Sequence, residues 1–226
     1  MTDSTPPNGC VRMIDVSAAQ GKNIDWDAVK ASGIEVVVVE CGLGNDGSNP
    51  VDMTQALGAR GAGLRVKLYS FGYALPPDGI HEARDPVSQA KLHCTLAAAV
   101  GITEDPILDL EFPALADFAK WNVNAAYVRG WALSYLATVE SVTGRVPWLY
   151  GSKAYLQAIG CEQEPALSRY PLWIADWNIE APTAPAPWAD WMAWQYAATG
   201  SVPGIVGPVD LSWLRQAPPT DPDPIG

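Results

Sequence analysis

The chain has 226 residues, 48% of them hydrophobic, so it can bury the core of one large domain or two small ones. Its 25 acidic residues outnumber its 14 basic residues, which gives a net charge of −11, and the basic residues form no cluster. Nucleic acid and anionic membranes are therefore poor partners. No apolar run approaches the length of a transmembrane helix, which argues against a spanning segment.

The first ten residues are expected to form a flexible tail. They contain two prolines but neither the charged region nor the apolar region of a signal peptide. The sequence therefore predicts a product that begins in the cytoplasm, so that any work outside the producing cell requires another exit route.

Strand and helix patterns alternate through most of the chain. Predicted strands cover residues 11–17, 34–40, 64–73, 106–111, 147–150 and 172–177, and predicted helices cover residues 24–33, 53–63, 86–100, 124–143 and 152–159. The second strand contains four consecutive valines, which is typical of a parallel sheet covered on both faces. Two later apolar stretches, 192–196 and 206–211, leave no room for a helix between them and should pair antiparallel.

Eight strand patterns with helices between the early ones predict an α/β fold. We expect an irregular (β/α) barrel of the TIM type with antiparallel strands in its last third. The barrel should occupy residues 11–215, after a tail of residues 1–10. Residues 216–226 are rich in proline and predict a second tail or the stub of a linker.

The cysteines and histidines give no metal or redox pattern. Their spacing argues against zinc and against a redox pair, and it predicts free, mostly buried thiols, with Cys10 the candidate for exposure. The histidines are expected to be solvated or on a helix surface, and the glycine-rich residues 42–47 to be a plain loop. We therefore expect no cofactor and no metal. The residues concerned are Cys10, Cys41, Cys94, Cys161, His81 and His93.

Acidic residues recur at the carboxyl ends of the predicted strands. Asp109 and Glu111 lie two residues apart and share one face of a strand. Like charges this close raise one pKa, and we favour Glu111 as the proton donor. A pair of this kind alone is more often a strand running into solvent. However, a closed barrel would bring Asp15 and Asp210 together opposite this pair, which favours an active site.

Aromatic residues are frequent at the same strand ends. The chain has 10 tryptophans and 8 tyrosines, whose faces can stack on sugar rings. Trp26, Trp131 and Trp148 are expected in the core. We expect Tyr69, Tyr150, Trp177, Trp194 and Tyr196 at the rim. The candidate substrate-binding residues are Tyr69, Phe71, Tyr150, Asp176, Trp177 and Gln195. Carboxylates lined by aromatic rings predict glycoside hydrolysis.

Six ordered motifs resemble those of the glycoside hydrolase family 25 lysozymes. They lie at residues 14–26, 108–111, 143–147, 171–175, 194–196 and 209–211, and the resemblance runs from about residue 11 to residue 213. It implies cleavage of the β-1,4 bond between N-acetylmuramic acid and N-acetylglucosamine in peptidoglycan. It also implies Glu111 as general acid, Asp109 as its partner, and Asp15 and Asp210 as flanking acids.

The chain departs from this family pattern in two strands. The second strand ends in Glu40-Cys41-Gly42, where the family has a basic or small polar sequence, and the third has Tyr69-Ser70-Phe71, where a histidine is common. The first departure puts the substrate preference in question. The strongly acidic charge is also awkward for an enzyme of anionic walls, and it favours a restricted target wall or a further binding domain.

Several alternatives stay open at this point. A catalytically silent carbohydrate-binding module on the same barrel and a chitin-directed hydrolase are both compatible with the sequence. Retention and inversion at the anomeric carbon are also both compatible with it. As the leading interpretation, we expect a monomer that acts on the glycan strands of peptidoglycan, as a phage endolysin does when it reaches the wall after membrane breach.

Overall fold

The computed structural model describes residue 7 and residues 9–44, 50–76 and 85–216. Within these residues eight strands form a closed barrel in chain order. They are β1 (Cys10–Val16), β2 (Val36–Leu43), β3 (Arg65–Phe71), β4 (Ile107–Asp109), β5 (Trp148–Ser152), β6 (Leu172–Ala175), β7 (Ala193–Gly200) and β8 (Val209–Arg215).

The last strand runs against both of its neighbours. Successive strands from β1 to β7 pair in parallel, whereas β8 pairs antiparallel with β7 and with β1. The predicted barrel with an antiparallel ending is therefore confirmed. Because residues 201–208 connect β7 to β8 without a helix, the chain reverses directly and closes the sheet.

Six α-helices are described, and most of them cover the outside of the barrel. They are α1 (Trp26–Ala31), α2 (Pro50–Gly61), α3 (Pro86–Ala99), α4 (Phe118–Trp121), α5 (Ala125–Thr143) and α6 (Lys153–Ala158). Four of them begin after a side chain that accepts a backbone N–H of the first turn, namely Asp25, Asp85, Asn124 and Ser152. The short helix α4 was not among the predicted elements. None of the described helices is long and apolar enough to span a membrane.

The interior of the barrel is apolar in its middle and contains a buried charged side chain at one end. Apolar side chains such as Met13, Val36 and Ile107 fill its middle. Lys67 points into the end where the parallel strands begin and is only 2% exposed. Its Nζ lies 4.2 Å from the centre of the Trp148 ring and 3.3 Å from a carboxylate oxygen of Glu104. Lys67 is thus packed into this end, whereas barrels of this type form their sites at the opposite end, where the strands finish.

Two minor expectations are wrong. Residues 42 and 43 belong to β2 and not to a loop, while residues 45–47 lie outside the described residues. His93 is buried, because α3 turns it toward α5 together with Gln89, Ala90 and Cys94. His81 and both predicted tails, except for residues 7, 9, 10 and 216, also lie outside the described residues.

The cysteines are free, as expected. Cys41, Cys94 and Cys161 are buried, and Cys10 is partly exposed. The predicted core tryptophans Trp26, Trp131 and Trp148 are buried as well.

Candidate active site

A cavity of about 210 Å³ opens at the carboxyl end of the barrel. Its walls come from β1, β3, β4, β5, β6 and β8, so distant parts of the chain contribute to one site. The lining residues are Asp15, Tyr69, Phe71, Asp109, Glu111, Tyr150, Trp173 and Asp210. All four predicted acids are brought together here.

A larger groove of about 360 Å³ lies on the outer side of β1, β7 and β8. Its lining includes Arg12, Tyr196, Thr199 and Leu211 but no carboxylate. Acid–base chemistry therefore belongs to the smaller cavity.

Asp15 and Asp210 form a pair across the seam of the barrel. They occupy opposite positions in the antiparallel register of β1 and β8, and their carboxyl groups are hydrogen-bonded to each other. Burial and the charge of Asp210 raise the pKa of Asp15 well above its ordinary value. Burial also raises the pKa of Asp210, while the hydrogen bond from Asp15 acts in the opposite direction. A hydrogen bond between two carboxyl groups requires a proton, so the pair shares one.

Asp109 and Glu111 project into the cavity from the end of β4. The strand direction continues past Asp109, because the N–H of Leu110 donates to the carbonyl oxygen of Tyr150 at 2.9 Å. Alternation along this direction places Glu111 on the same face as Asp109, and it sends Leu108 and Leu110 into the core outside the barrel.

These two acids differ in their surroundings. Asp109 is 7% exposed, and its Oδ1 has no hydrogen-bond partner among the described residues. Burial, followed by the charges of Glu111, Asp15 and Glu40, raises its pKa well above the ordinary value. Glu111 is only partly buried, and burial together with the charge of Asp210 raises its pKa. Both carboxyls therefore hold their protons to a higher pH than exposed acids do.

Gln195 connects the Asp15–Asp210 pair to the aromatic wall. Its Nε2 donates to Oδ2 of Asp15 at 3.1 Å and to Oδ2 of Asp210 at 3.3 Å. Its Oε1 accepts from the Tyr150 hydroxyl at 3.0 Å and from Trp177 Nε1 at 3.1 Å. Burial raises the pKa of Tyr150 well above its ordinary value, so its hydroxyl stays protonated as a donor.

The comparisons with known proteins identify the family. The sequence model for glycosyl hydrolases family 25 matches residues 14–205. The chain belongs to glycosyl hydrolases family 25. The family resemblance carried by the six motifs is therefore confirmed.

Relatives within family 25 are distant in sequence. Lysozyme M1 of Streptomyces globisporus is 25% identical over 204 residues, covering 88% of this chain and 66% of the relative. The autolytic lysozyme of Clostridium acetobutylicum is 28% identical over 201 residues, covering 88% of this chain and 54% of the relative. The match thus spans between half and two thirds of the length of these relatives.

A solved lysozyme structure has a fold similar to this one. The bacterial lysozyme from Streptomyces coelicolor superposes with a TM-score of 0.77 at 24% identity, covering 93% of this chain and 94% of the other. The two proteins thus share their overall fold.

Of the remaining predicted binding residues in this family 25 barrel, some lie in the cavity, one lies at its rim and one lies outside it. Tyr69 and Phe71 line the cavity. Trp177 stands at the rim and is 42% exposed. Asp176 does not line the cavity, because its carboxylate pairs with Lys153 Nζ at 3.3 Å.

Two expected rim residues are misplaced. Gln195 points inward on β7, so alternation turns its neighbours Trp194 and Tyr196 outward. Trp194 packs in the core outside the barrel, and Tyr196 stacks on Trp213 with ring centres 5.0 Å apart. The expectation that both lie at the rim is wrong.

Several aromatic residues at or near the cavity were not predicted from the sequence. Trp173 lines the cavity from β6. Residues two positions apart on a strand share a face, so Trp173 and Ala175 both point into the barrel. This alternation is the signal that could have identified Trp173. From Phe71, a row of rings continues through Tyr73 and Phe112 to Trp121, with ring centres 5.1–6.4 Å apart. These rings come from loops and from α4, where strand alternation gives no guidance.

Proposed function

We propose that this family 25 hydrolase is a lysozyme that cleaves the β-1,4 bond between N-acetylmuramic acid and N-acetylglucosamine in peptidoglycan. The observation that carries the proposal is the convergence of four carboxyl groups from β1, β4 and β8 on one cavity. Raised pKa values of these groups suit acid catalysis, since a proton donor must still hold its proton at the working pH.

Glu111 takes the part of general acid in this proposal. It is partly exposed to the cavity, and its raised pKa keeps the proton available. Its proton passes to the glycosidic oxygen while the bond from that oxygen to the anomeric carbon breaks. Water then supplies the hydroxyl group of the new reducing end and returns a proton to the site.

Asp109 faces the positive charge that develops at the anomeric carbon. Its Oδ1 is buried and accepts no hydrogen bond from the described residues, so no protein donor offsets a charge on this carboxyl. A developing cation favours the charged form of Asp109, which then stabilises that cation or orients the 2-acetamido group of the sugar for attack. The Asp15–Asp210 pair balances charge beside it and orients Asp109 or water.

The experiment is mass spectrometry of muropeptides after digestion of purified peptidoglycan. We expect new fragments that end in reducing muramic acid. Glu111→Gln should lower kcat by roughly 10²–10⁴-fold, since it removes the proton donor and preserves shape. Glu162→Gln, which changes an exposed acid outside the cavity, is the matched control and should retain activity.

Other products would contradict the proposal. New reducing-end glucosamine or a cleaved peptide would exclude a muramidase. Binding to peptidoglycan without release of sugar would support a silent carbohydrate-binding module. Faster cleavage of chitin oligomers than of peptidoglycan would support a chitin-directed hydrolase.

A further inference from the structure

Gln195 has all of its hydrogen-bonding positions filled by protein groups. The side chain is 1% exposed. A primary amide donates two hydrogen bonds and accepts two. Here both donors go to Asp15 and Asp210, and both acceptor positions go to Tyr150 and Trp177. This arrangement leaves no position for a sugar hydroxyl, so Gln195 needs a different role from direct substrate binding.

Trp177 determines which way the amide faces. An indole N–H can only donate, so the atom 3.1 Å from Trp177 Nε1 must be the carbonyl oxygen Oε1. The NH₂ group then necessarily faces the two carboxyl groups. Tyr150 cannot make this choice, because a hydroxyl both donates and accepts. If the Gln195 amide were reversed, its NH₂ group would face the N–H of Trp177, and its Oε1 would face the carboxyl groups of Asp15 and Asp210.

We propose that Trp177 and Gln195 are positioning residues: the indole N–H of Trp177 fixes the Gln195 amide, and that amide holds Asp15 and Asp210 together as a pair sharing one proton. For its effect on catalysis, this inference rests on the proposed lysozyme function. The side-chain arrangement itself does not depend on the identity of the substrate.

The proposal has a consequence for the pH profile. Hydrogen bonds donated by Gln195 favour the charged form of the pair, so losing them makes the pair retain protons to higher pH. The other titratable groups that face this cluster are Glu40, Tyr69, Asp109, Glu111 and Tyr150. The two tyrosines stay neutral, since burial raises the pKa of each well above its ordinary value.

Glu111 responds in the opposite direction. The charge of Asp210 contributes to the raised pKa of Glu111. If Asp210 carries less charge, the pKa of Glu111 falls. The acidic limb of the profile, set by the pair, should therefore move up in pH, and the alkaline limb, set by Glu111, should move down.

The test is Trp177→Phe, which keeps a rim aromatic ring and removes the N–H. The matched control is Trp188→Phe, since Trp188 Nε1 donates to the carbonyl oxygen of Tyr170 at 2.8 Å, outside the cavity. We expect Trp177→Phe to lower kcat on peptidoglycan about 10-fold, in the range for groups that orient a reacting residue. KM should stay within about two-fold because the stacking surface is retained, and the pH profile should narrow. Trp188→Phe should keep the wild-type profile.

A raised KM with unchanged kcat and unchanged pH limbs would overturn the inference, because Trp177 would then be only a stacking surface. Should Trp177→Phe fail to fold, Gln195→Met removes the amide that donates to Asp15 and Asp210 and should raise the acidic limb. Unchanged limbs in that variant would overturn the inference as well.

A second readout separates this inference from the proposed function. In ¹³C NMR titrations of the aspartate carboxyl groups, the midpoints of Asp15 and Asp210 should rise in Trp177→Phe and not in Trp188→Phe. Failure of the wild-type protein to cleave peptidoglycan would refute the lysozyme proposal and leave this result standing. Unchanged midpoints would refute the positioning role even if the protein is a lysozyme.

Discussion

Asp109 illustrates a conflict between stability and function in a single side chain. Its carboxyl is buried beside Glu111, Asp15 and Glu40, all of which disfavour its charge. A carboxyl whose pKa is raised by folding contributes full stability below its unfolded pKa of about 4, and this contribution is lost as the pH rises through the folded pKa. At neutral pH ionisation of this carboxyl is favourable in the unfolded chain and disfavoured in the folded protein, so it lowers the free energy of unfolding.

Asp109→Asn should consequently be more stable than the wild type at pH 7 while losing activity. The amide keeps the shape of the carboxyl and cannot ionise. We expect a gain of roughly 1–3 kcal/mol, the range for relieving a poorly paired buried polar group, with about 2–4 °C in Tm per kcal/mol. Thermal unfolding at pH 7 and at pH 4 measures this. The difference between variant and wild type should nearly vanish at pH 4, and a variant less stable at pH 7 would contradict the argument.

Among the helices, α3 contributes stability with the opposite pH dependence. Its His93 is fully buried, with Nδ1 2.8 Å from the Tyr135 hydroxyl of α5. Burial lowers the pKa of His93 to about 4. Because the unfolded pKa is about 6.5, this stability is complete above pH 6.5 and is lost as the pH falls from 6.5 toward 4. The contact between α3 and α5 therefore weakens in acid.

His93→Gln should reduce this acid sensitivity. Glutamine can bond to the Tyr135 hydroxyl but does not titrate. Between pH 7 and pH 5 the wild type should lose about 2 kcal/mol through His93, and the variant should not. Urea unfolding at the two pH values measures the difference, and His81 is present in both proteins as an internal constant. An equal loss in both would show that His93 does not titrate as inferred.

The sequence predicted elements better than side-chain directions. Strand alternation placed Asp109 with Glu111, and barrel closure paired Asp15 with Asp210, because both follow from backbone geometry. Alternation also applies to β7. Because Gln195 points into the barrel, its neighbours Trp194 and Tyr196 must point outward and cannot lie at the rim of the cavity. His93 was misplaced for another reason: its surroundings depend on how α3 rotates against α5, and the polar and apolar residues of α3 are not separated onto opposite faces that would indicate this rotation.

For the molecule as a whole, the net charge affects how the proposed lysozyme would meet its substrate. A net charge of −11 repels anionic wall polymers over the Debye length, which is about 30 Å at 0.01 M salt and about 8 Å at 0.15 M. Repulsion at long range slows the encounter and leaves the chemistry inside the cavity unaffected. Salt should therefore change KM on intact walls more than it changes kcat.

We accordingly expect hydrolysis of intact walls at limiting substrate to rise several-fold between 0.01 M and 0.15 M NaCl, because screening shortens the range of the repulsion. Initial rates on walls that carry anionic polymers, compared with the same walls after these polymers are extracted, measure the effect. The extracted walls are the control and should show a much weaker salt dependence. A rate that falls with added salt on the intact walls would mean that a local basic surface guides the enzyme, in spite of its net charge.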